Sequence, residues 1–260
     1  LIEFPLMDIQ GFAAKHAREL MNDLGVTCTG SLGLTPATDI SSEDDGAVQA
    51  GRENLLRAVD LLSSLGGTAI CGVLASAMTK YAQPATAKGR ANSQAVLREV
   101  STYAAEAGIE MSLEVVNRYE STLFNTGEDC LQFIEEGELN VGIHLDSYHM
   151  NIEETDMWSP IANCAPRIGY VHIGESNRGY LGSGSVNFDS MFGALNAIDY
   201  DGLMVFESFS SAVVSKELSN TLAVWRNLWD DSDALAAHAL QYMKGRVEGL
   251  SATSRALERG

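Results

Sequence analysis

The sequence predicts an α/β protein, a (β/α)8 TIM barrel that lacks its first βα unit. Short apolar runs alternate with longer amphipathic segments along the chain, the pattern of a parallel sheet flanked by helices. Seven apolar runs occur in 260 residues with no linker between them, one short of eight. The first of them starts at residue 1, where Leu1 already stands inside an apolar segment, so processing or truncation is expected to have removed what came before. A doubly wound open sheet is the alternative. It requires a Gly-rich first turn, and Pro5-Leu6-Met7-Asp8 offers none.

The expected strands are Leu1–Leu6, Val26–Leu32, Thr68–Leu74, Glu110–Val116, Val141–Asp146, Gly169–Ile173 and Leu203–Glu207. Most are apolar throughout rather than alternating, as strands buried on both faces are. Helical periodicity marks the segments between them. Phe12–Leu24 sets Phe12, His16, Leu20 and Leu24 on one stripe, and Asp45–Leu65 carries Val48, Leu55, Leu56, Val59, Leu62 and Leu65. Ala91–Ala107 carries Val96, Leu97, Val100 and Ala104; Asp129–Glu136, Asp189–Ile198 and Glu217–Trp229 are weaker cases. Gly25, Gly66, Gly108 and Gly137 stand where a left-handed residue ends a helix. A last helix, Ala234–Lys244, closes a single domain over 1–245, and 246–260 reads as a polar tail.

Composition excludes several classes of function. Acidic residues number 35 against 17 Lys and Arg, a net charge of −18, and no basic cluster exists to displace counterions from nucleic acid. The same balance disfavours an anionic membrane surface. The longest uncharged run, Leu61–Thr79, is broken by Ser63, Ser64, Gly66, Gly67 and Thr68 and parses as a helix end, a turn and a buried strand. Cysteines at 28, 71, 130 and 164 form no C-x-x-C pair or zinc spacing and read as reduced thiols of a cytoplasmic protein. Gly179-Tyr-Leu-Gly182-Ser-Gly184 lacks a following helix and a Lys-Ser/Thr ending, so it reads as a flexible loop rather than a phosphate cradle. His16 and His238 fall on helices as structural residues, and Trp225 and Trp229, four apart, read as core or interface packing.

Four successive strands end in a metal-competent residue: Glu114, Asp146, His172 and Glu207. Their intervals of 32, 26 and 35 residues are each about one βα unit, so they arrive at the same rim, the C-terminal face on which TIM-barrel active sites lie. Several buried carboxylates with few bases available call for a cation. One His and three carboxylates suit Mn²⁺, Mg²⁺ or Co²⁺ better than a structural zinc. Further polar residues follow the same strands: Asn117, Arg118, Tyr119 and Glu120; Ser147, Tyr148, His149 and Asn151; Glu175, Ser176, Asn177 and Arg178.

The segments Glu114-Val-Val-Asn-Arg-Tyr-Glu120, Gly142-Ile-His-Leu-Asp-Ser-Tyr-His-Met-Asn-Ile-Glu-Glu154 and His172-Ile-Gly-Glu-Ser-Asn-Arg178 resemble the ketose 3-epimerases, which act on D-tagatose, D-psicose (allulose) or L-ribulose and belong to the xylose-isomerase-like TIM barrels. The resemblance covers about residues 1 to 245, and His144 stands where some members carry an apolar residue. It implies one divalent metal, usually Mn²⁺, held by Glu114, Asp146, His172 and Glu207, and substrate contacts from Glu120, His149 and Arg178. It also implies that Glu114 and Glu207 are the catalytic acid and base, exchanging the proton on carbon 3 of a free ketose through an enediolate, in a homodimer or homotetramer. Members begin with a further strand and helix that supply aromatic residues to the pocket wall.

Other metal enzymes of the same barrel are the alternative, namely aldose–ketose isomerase, hydroxypyruvate isomerase or inosose dehydratase. A DNA-repair nuclease would need more His than the five present and a basic face, and a non-catalytic sugar-binding barrel would hold metal weakly.

Overall fold

Six of the seven apolar runs become strands shorter than the run that encodes them, and the Gly169–Ile173 run gains one residue at its start. In the computed structural model, which describes residues 1–257, these are β1 (Ile2–Pro5), β2 (Cys28–Ser31), β3 (Ala69–Cys71), β4 (Glu110–Glu114), β5 (Gly142–Asp146), β6 (Ile168–Ile173) and β7 (Leu203–Phe206). The runs are longer because the chain stays buried after it leaves the sheet. Val115 and Val116, just past β4, are core residues. The strands stand in the sheet in chain order, and β1/β2, β2/β3, β3/β4 and β4/β5 pair in parallel. The helices between them are α1 (Ala14–Leu24), α2 (Asp45–Leu65), α3 (Ala87–Glu106), α4 (Gly127–Glu136), α5 (Ser147–Glu153), α6 (Ser159–Cys164), α7 (Phe188–Ala197), α8 (Lys216–Thr221) and α9 (Ser232–Leu257). Among the described residues no helix is long and apolar enough to cross a membrane. All four cysteines are buried.

The chain divides into two compact units. The first comprises Leu1–His144 with Arg167–Tyr170. In it Asp44 caps α2 by accepting the N–H groups of Gly46 (2.7 Å) and Ala47 (3.2 Å). Helix α2 buries Leu55, Ala58, Val59 and Leu62 and packs on α3, which buries Leu97, Val100 and Ala104. Each large aliphatic side chain so buried contributes about 1.5–3 kcal/mol. Strands β4, β5 and β6 approach closely where Ser112, Gly142 and Gly169 meet. A Cβ on Gly169 would lie 2.5 Å from Ser112 Oγ and 3.4 Å from Gly142 Cα. Nearby, the buried Tyr170 hydroxyl donates to Glu3 Oε2 at 2.6 Å and pairs with Thr29 Oγ1 at 2.7 Å. Burial, with the neighbouring Cys71 and Glu3, holds that phenol well above its ordinary pKa.

The second unit comprises Leu145–Pro166 and Val171–Gly260. Helix α7, capped by Asn187 on Ser190 N–H (3.1 Å), buries Met191, Phe192 and Leu195 and packs on α6 and α9. On α9, His238 Nε2 lies 3.0 Å from the Leu181 carbonyl and its ring meets Tyr180 edge-on, a structural placement.

Several expectations are corrected. Helix α1 buries Met21, while Leu20 and Leu24 (73% exposed) face outward, so the apolar stripe lies elsewhere. Gly137 is not left-handed (φ −82°); the following Glu138 takes that turn (φ 50°). The segment expected as a helix over Glu217–Trp229 is helical only in α8, so Trp225 and Trp229 share no helical stripe. Trp225 is 74% exposed, outside the core, and Trp229 donates its indole N–H to Ser208 Oγ at 2.7 Å. Helix α9 continues past Lys244 to Leu257, through Gly245 and Gly249, whose weak propensity does not end it. Residues 258–260 of the expected tail lie outside the described residues.

The contact of β4, β5 and β6 makes Gly169→Ala an overpacking change. It is expected to cost about 1–3 kcal/mol in urea denaturation, with Ser112→Ala restoring part of the loss in the double variant. An unchanged urea midpoint for the single variant contradicts this account of the packing.

Candidate active site

In the first unit, β4 ends on Glu114, which is buried and stands opposite His144 in the β4/β5 register. His144 Nδ1 lies 3.9 Å from Glu114 Oε2. The backbone around Glu114 is fixed by its N–H, which donates to the Gly72 carbonyl at 3.0 Å. Gly72 has φ +114°, and a Cβ there would sit 2.4 Å from the Leu32 carbonyl oxygen, so only glycine fits. Past β4, the buried Asn117 donates from Nδ2 to Glu120 Oε1 at 2.9 Å, and Glu120 holds Thr79 N–H through its carbonyl at 2.8 Å. Glu120 is thus half-buried and oriented by its neighbour three residues earlier.

The second unit brings together Asp146, His149, His172, Arg178 and Glu207. Asp146 is the last residue of β5 and the N-cap of α5, and the two roles divide its carboxylate. Oδ1 accepts the Tyr148 N–H at 2.7 Å, while Oδ2 accepts from Arg178 Nη1 at 3.1 Å and lies 3.8 Å from His149 Nε2. His149 follows three residues on, one turn into α5, and is buried. His172 sits on β6, its Nδ1 3.5 Å from Glu207 Oε1. Glu207 follows β7, and its backbone N–H donates to the Ile173 carbonyl at 3.2 Å, tying it to the end of β6. Ligand atoms of Asp146, His172 and Glu207 all lie within 4.8 Å of one another.

Arg178 crosses this cluster. Its Nη1 also donates to Glu207 Oε2 at 2.5 Å, and Nη2 lies 3.4 Å from His149 Nε2. The guanidinium lies 3.7 Å over the Tyr148 ring and 5.2 Å from that of Phe209. Gly174 makes room, since a Cβ there would stand 3.2 Å from Arg178 Nη1 and 3.3 Å from Asp146 Oδ1. Burial alone would raise the Asp146 carboxyl, but the charges of Arg178, His149 and His172 and the Tyr148 N–H together hold it below its ordinary pKa. Asp146 is therefore an anion at neutral pH, as a ligand must be.

Two buried or half-buried carboxylates and an imidazole are hard oxygen and nitrogen donors, a set that fits a first-row divalent cation. The sequence reading named all the polar members. It did not single out Phe209 or the stacking role of Tyr148; an aromatic two residues past a strand-end acid was the only signal. Nor did it identify Asn117 as the partner that orients Glu120.

Residues 2–245 match the family model described as the xylose isomerase-like TIM barrel. A ketose 3-epimerase of Arthrobacter globiformis is 54% identical over 96% of this chain and 87% of its own length. An L-ribulose 3-epimerase of Methylomonas sp. (strain DH-1) is 49% identical over 94% of this chain and 86% of its own. The crystal structure of a D-allulose 3-epimerase from Methylomonas sp. in complex with D-allulose superposes with a TM-score of 0.92 at 49% identity, covering 94% of this chain and 85% of that one. With the sheet order and the strand-end residues above, these likenesses establish the expected fold class and place the chain in the ketose 3-epimerase family of the xylose isomerase-like TIM barrels.

Proposed function

We propose that this chain epimerises free ketoses at carbon 3 with the help of one divalent metal, Mn²⁺ in preference to Co²⁺ or Mg²⁺. The observation that carries the reading is the cluster of buried Asp146 and His172 with half-buried Glu207, its two acids bridged by Arg178, in a chain 54% identical to a ketose 3-epimerase. Glu114 is proposed as the fourth ligand. It ends β4 as Asp146 ends β5, at the strand-end positions that the family resemblance makes metal ligands. Related proteins named for L-ribulose, D-psicose and D-allulose point to small free ketoses as the substrate class.

The metal, when bound, supplies Lewis-acid stabilisation of negative charge on the oxygens of carbons 2 and 3. The remaining work falls to the chain. Glu114 and Glu207 are the proposed acid and base at carbon 3, each serving one face of the sugar. A carboxylate oxygen of one removes the proton, the electron pair delocalises into an enediolate, and the protonated oxygen of the other returns a proton on the opposite face. The direction of reaction sets which is base. Arg178 and His149, held on the same rim as Asp146, bind the hydroxyls near carbons 1 to 3, and Glu120, oriented by Asn117, binds another. The stacked rings of Tyr148 and Phe209 keep water from the guanidinium and so strengthen its hydrogen bonds. A cytoplasmic setting for this chemistry suits a chain whose four cysteines are all buried and fall in no zinc or C-x-x-C spacing.

Three outcomes test the reading. In D₂O with Mn²⁺, D-allulose or L-ribulose should gain deuterium at carbon 3 as the inverted sugar appears by NMR, whereas label at carbon 1 with an aldose product would move the chain to the isomerases. Glu207→Gln should lower kcat by about 10³-fold or more, in line with loss of a general acid–base group; near-normal turnover refutes its role. Mn²⁺ at a hundred times its Kd should raise the melting temperature by about 5–8 °C, an effect absent in Asp146→Asn. An equal shift in that variant would place the ion elsewhere.

A further inference from the structure

We infer that Glu175 is a positioning residue that folds the loop 175–186 and thereby holds Arg178 in the site. The inference rests on the proposed function for its kinetic consequence but not for its structural one. Glu175 lies two residues past the end of β6 and is fully buried. Among the described residues no Lys or Arg pairs with its carboxylate. It accepts backbone N–H groups instead: Ser176 at 2.8 Å and Val186 at 3.2 Å on Oε1, and Gly182 at 2.9 Å on Oε2. One side chain thus gathers the start, middle and end of the loop around a single charge.

The loop is built to fit that charge. A Cβ on Gly184 would fall 2.4 Å from Glu175 Oε1 and 2.3 Å from Ser176 Oγ. Gly182 takes φ +83°, which presents its N–H inward. Ser176 Oγ accepts the Ser185 N–H at 2.9 Å, and Asn177 Oδ1 the Gly179 N–H at 2.8 Å.

Arg178 itself sits in the left-handed region (φ 60°), a conformation that a non-glycine residue keeps only when its surroundings over-determine it. They do so from both sides. Its N–H donates to the Glu175 carbonyl at 2.8 Å, and its own carbonyl accepts Phe209 N–H at 3.3 Å and the Ser208 hydroxyl at 2.5 Å. Glu175 fixes the first of these anchors and the turn that leads out of Arg178. The segment that read from sequence as a flexible glycine loop is therefore a wrapped anion, and its product is the aim of one guanidinium.

The test uses the full chain with Mn²⁺. Glu175→Gln replaces an acceptor oxygen by an amide N–H₂ facing a backbone donor, with little change in volume. The variant should keep the Mn²⁺-dependent rise in melting temperature but raise KM for D-allulose at least tenfold. Arg178→Ala should do the same, and the double variant should be no worse than Arg178→Ala within about twofold, because both act through one group. Losses that multiply overturn the inference.

Trypsin supplies a readout free of turnover. Cleavage after Arg178, followed by mass spectrometry, should be slow in the parent and at least tenfold faster in Glu175→Gln. Equal resistance overturns the inference whatever the substrate proves to be. If the parent turns over no ketose, the proposed function fails while the trypsin result still decides the role of Glu175. Should Glu175→Gln not fold, Gly184→Ala, which presses a methyl against the same carboxylate oxygen, is read in the same way.

Discussion

The charge balance inside the second unit governs the rest of the site. Asp146 and Glu207 place two carboxylates within reach of one guanidinium, that of Arg178, in surroundings from which water is largely removed. At an effective dielectric of about 20, a pair of unit charges some 3 Å apart attracts by roughly 5 kcal/mol. Desolvation costs several kcal/mol per ion. The two effects nearly cancel, so the cluster is not what makes the protein stable. It persists because the surrounding structure supports it, and deleting Arg178 leaves both carboxylates uncompensated, at about 3–5 kcal/mol. An arrangement of this kind is a chemical device, and a cation is the addition that would complete its balance.

The support comes from where the strands stop. Asp146 ends β5 and begins α5, so one oxygen is taken by the Tyr148 N–H and the other is aimed at Arg178 and His149. Glu207 is held at the end of β7 by its backbone bond to Ile173. Gly174 leaves the space through which Arg178 reaches both acids. In the first unit the same logic holds Glu114 at the end of β4, where the backbone of Gly72 approaches too closely for any other residue. Each acid is thus set by main-chain hydrogen bonds rather than by its own rotamer freedom, which is what precise proton transfer requires.

Much of this was legible because buried parallel strands read as apolar runs, and a charged residue at the end of such a run stands out. Glu114, Asp146, His172 and Glu207 could be named by position alone, and all seven strands were found. Helices were legible where their buried face was long, as in α2, whose limits match expectation at both ends. Helices α5 and α6 escaped notice because six or seven residues give too little periodicity to register. The spacing of Trp225 and Trp229 misled for the opposite reason: two large apolar residues four apart imitate a stripe even where no helix forms. Glu175 was visible only as one polar residue among several, since its partners are backbone N–H groups that no side-chain pattern encodes.

The residue at 178 shows why the identity of the base matters as much as its charge. A Lys ammonium would be a hydrated point charge, costly to strip of water and unable to stack. The guanidinium is planar and weakly hydrated, so one face lies on Tyr148 while its edge serves Asp146, Glu207 and His149 together. Its left-handed backbone carries a strain of about 1–3 kcal/mol, which the anchors from Glu175, Ser208 and Phe209 offset. A carboxylate has about four acceptor positions. Asp146 commits one to Tyr148 and one to Arg178, and Glu207 commits one to Arg178. Acceptor capacity therefore remains on Asp146, and the base that offsets one of the two negative charges leaves that acid able to act as a ligand.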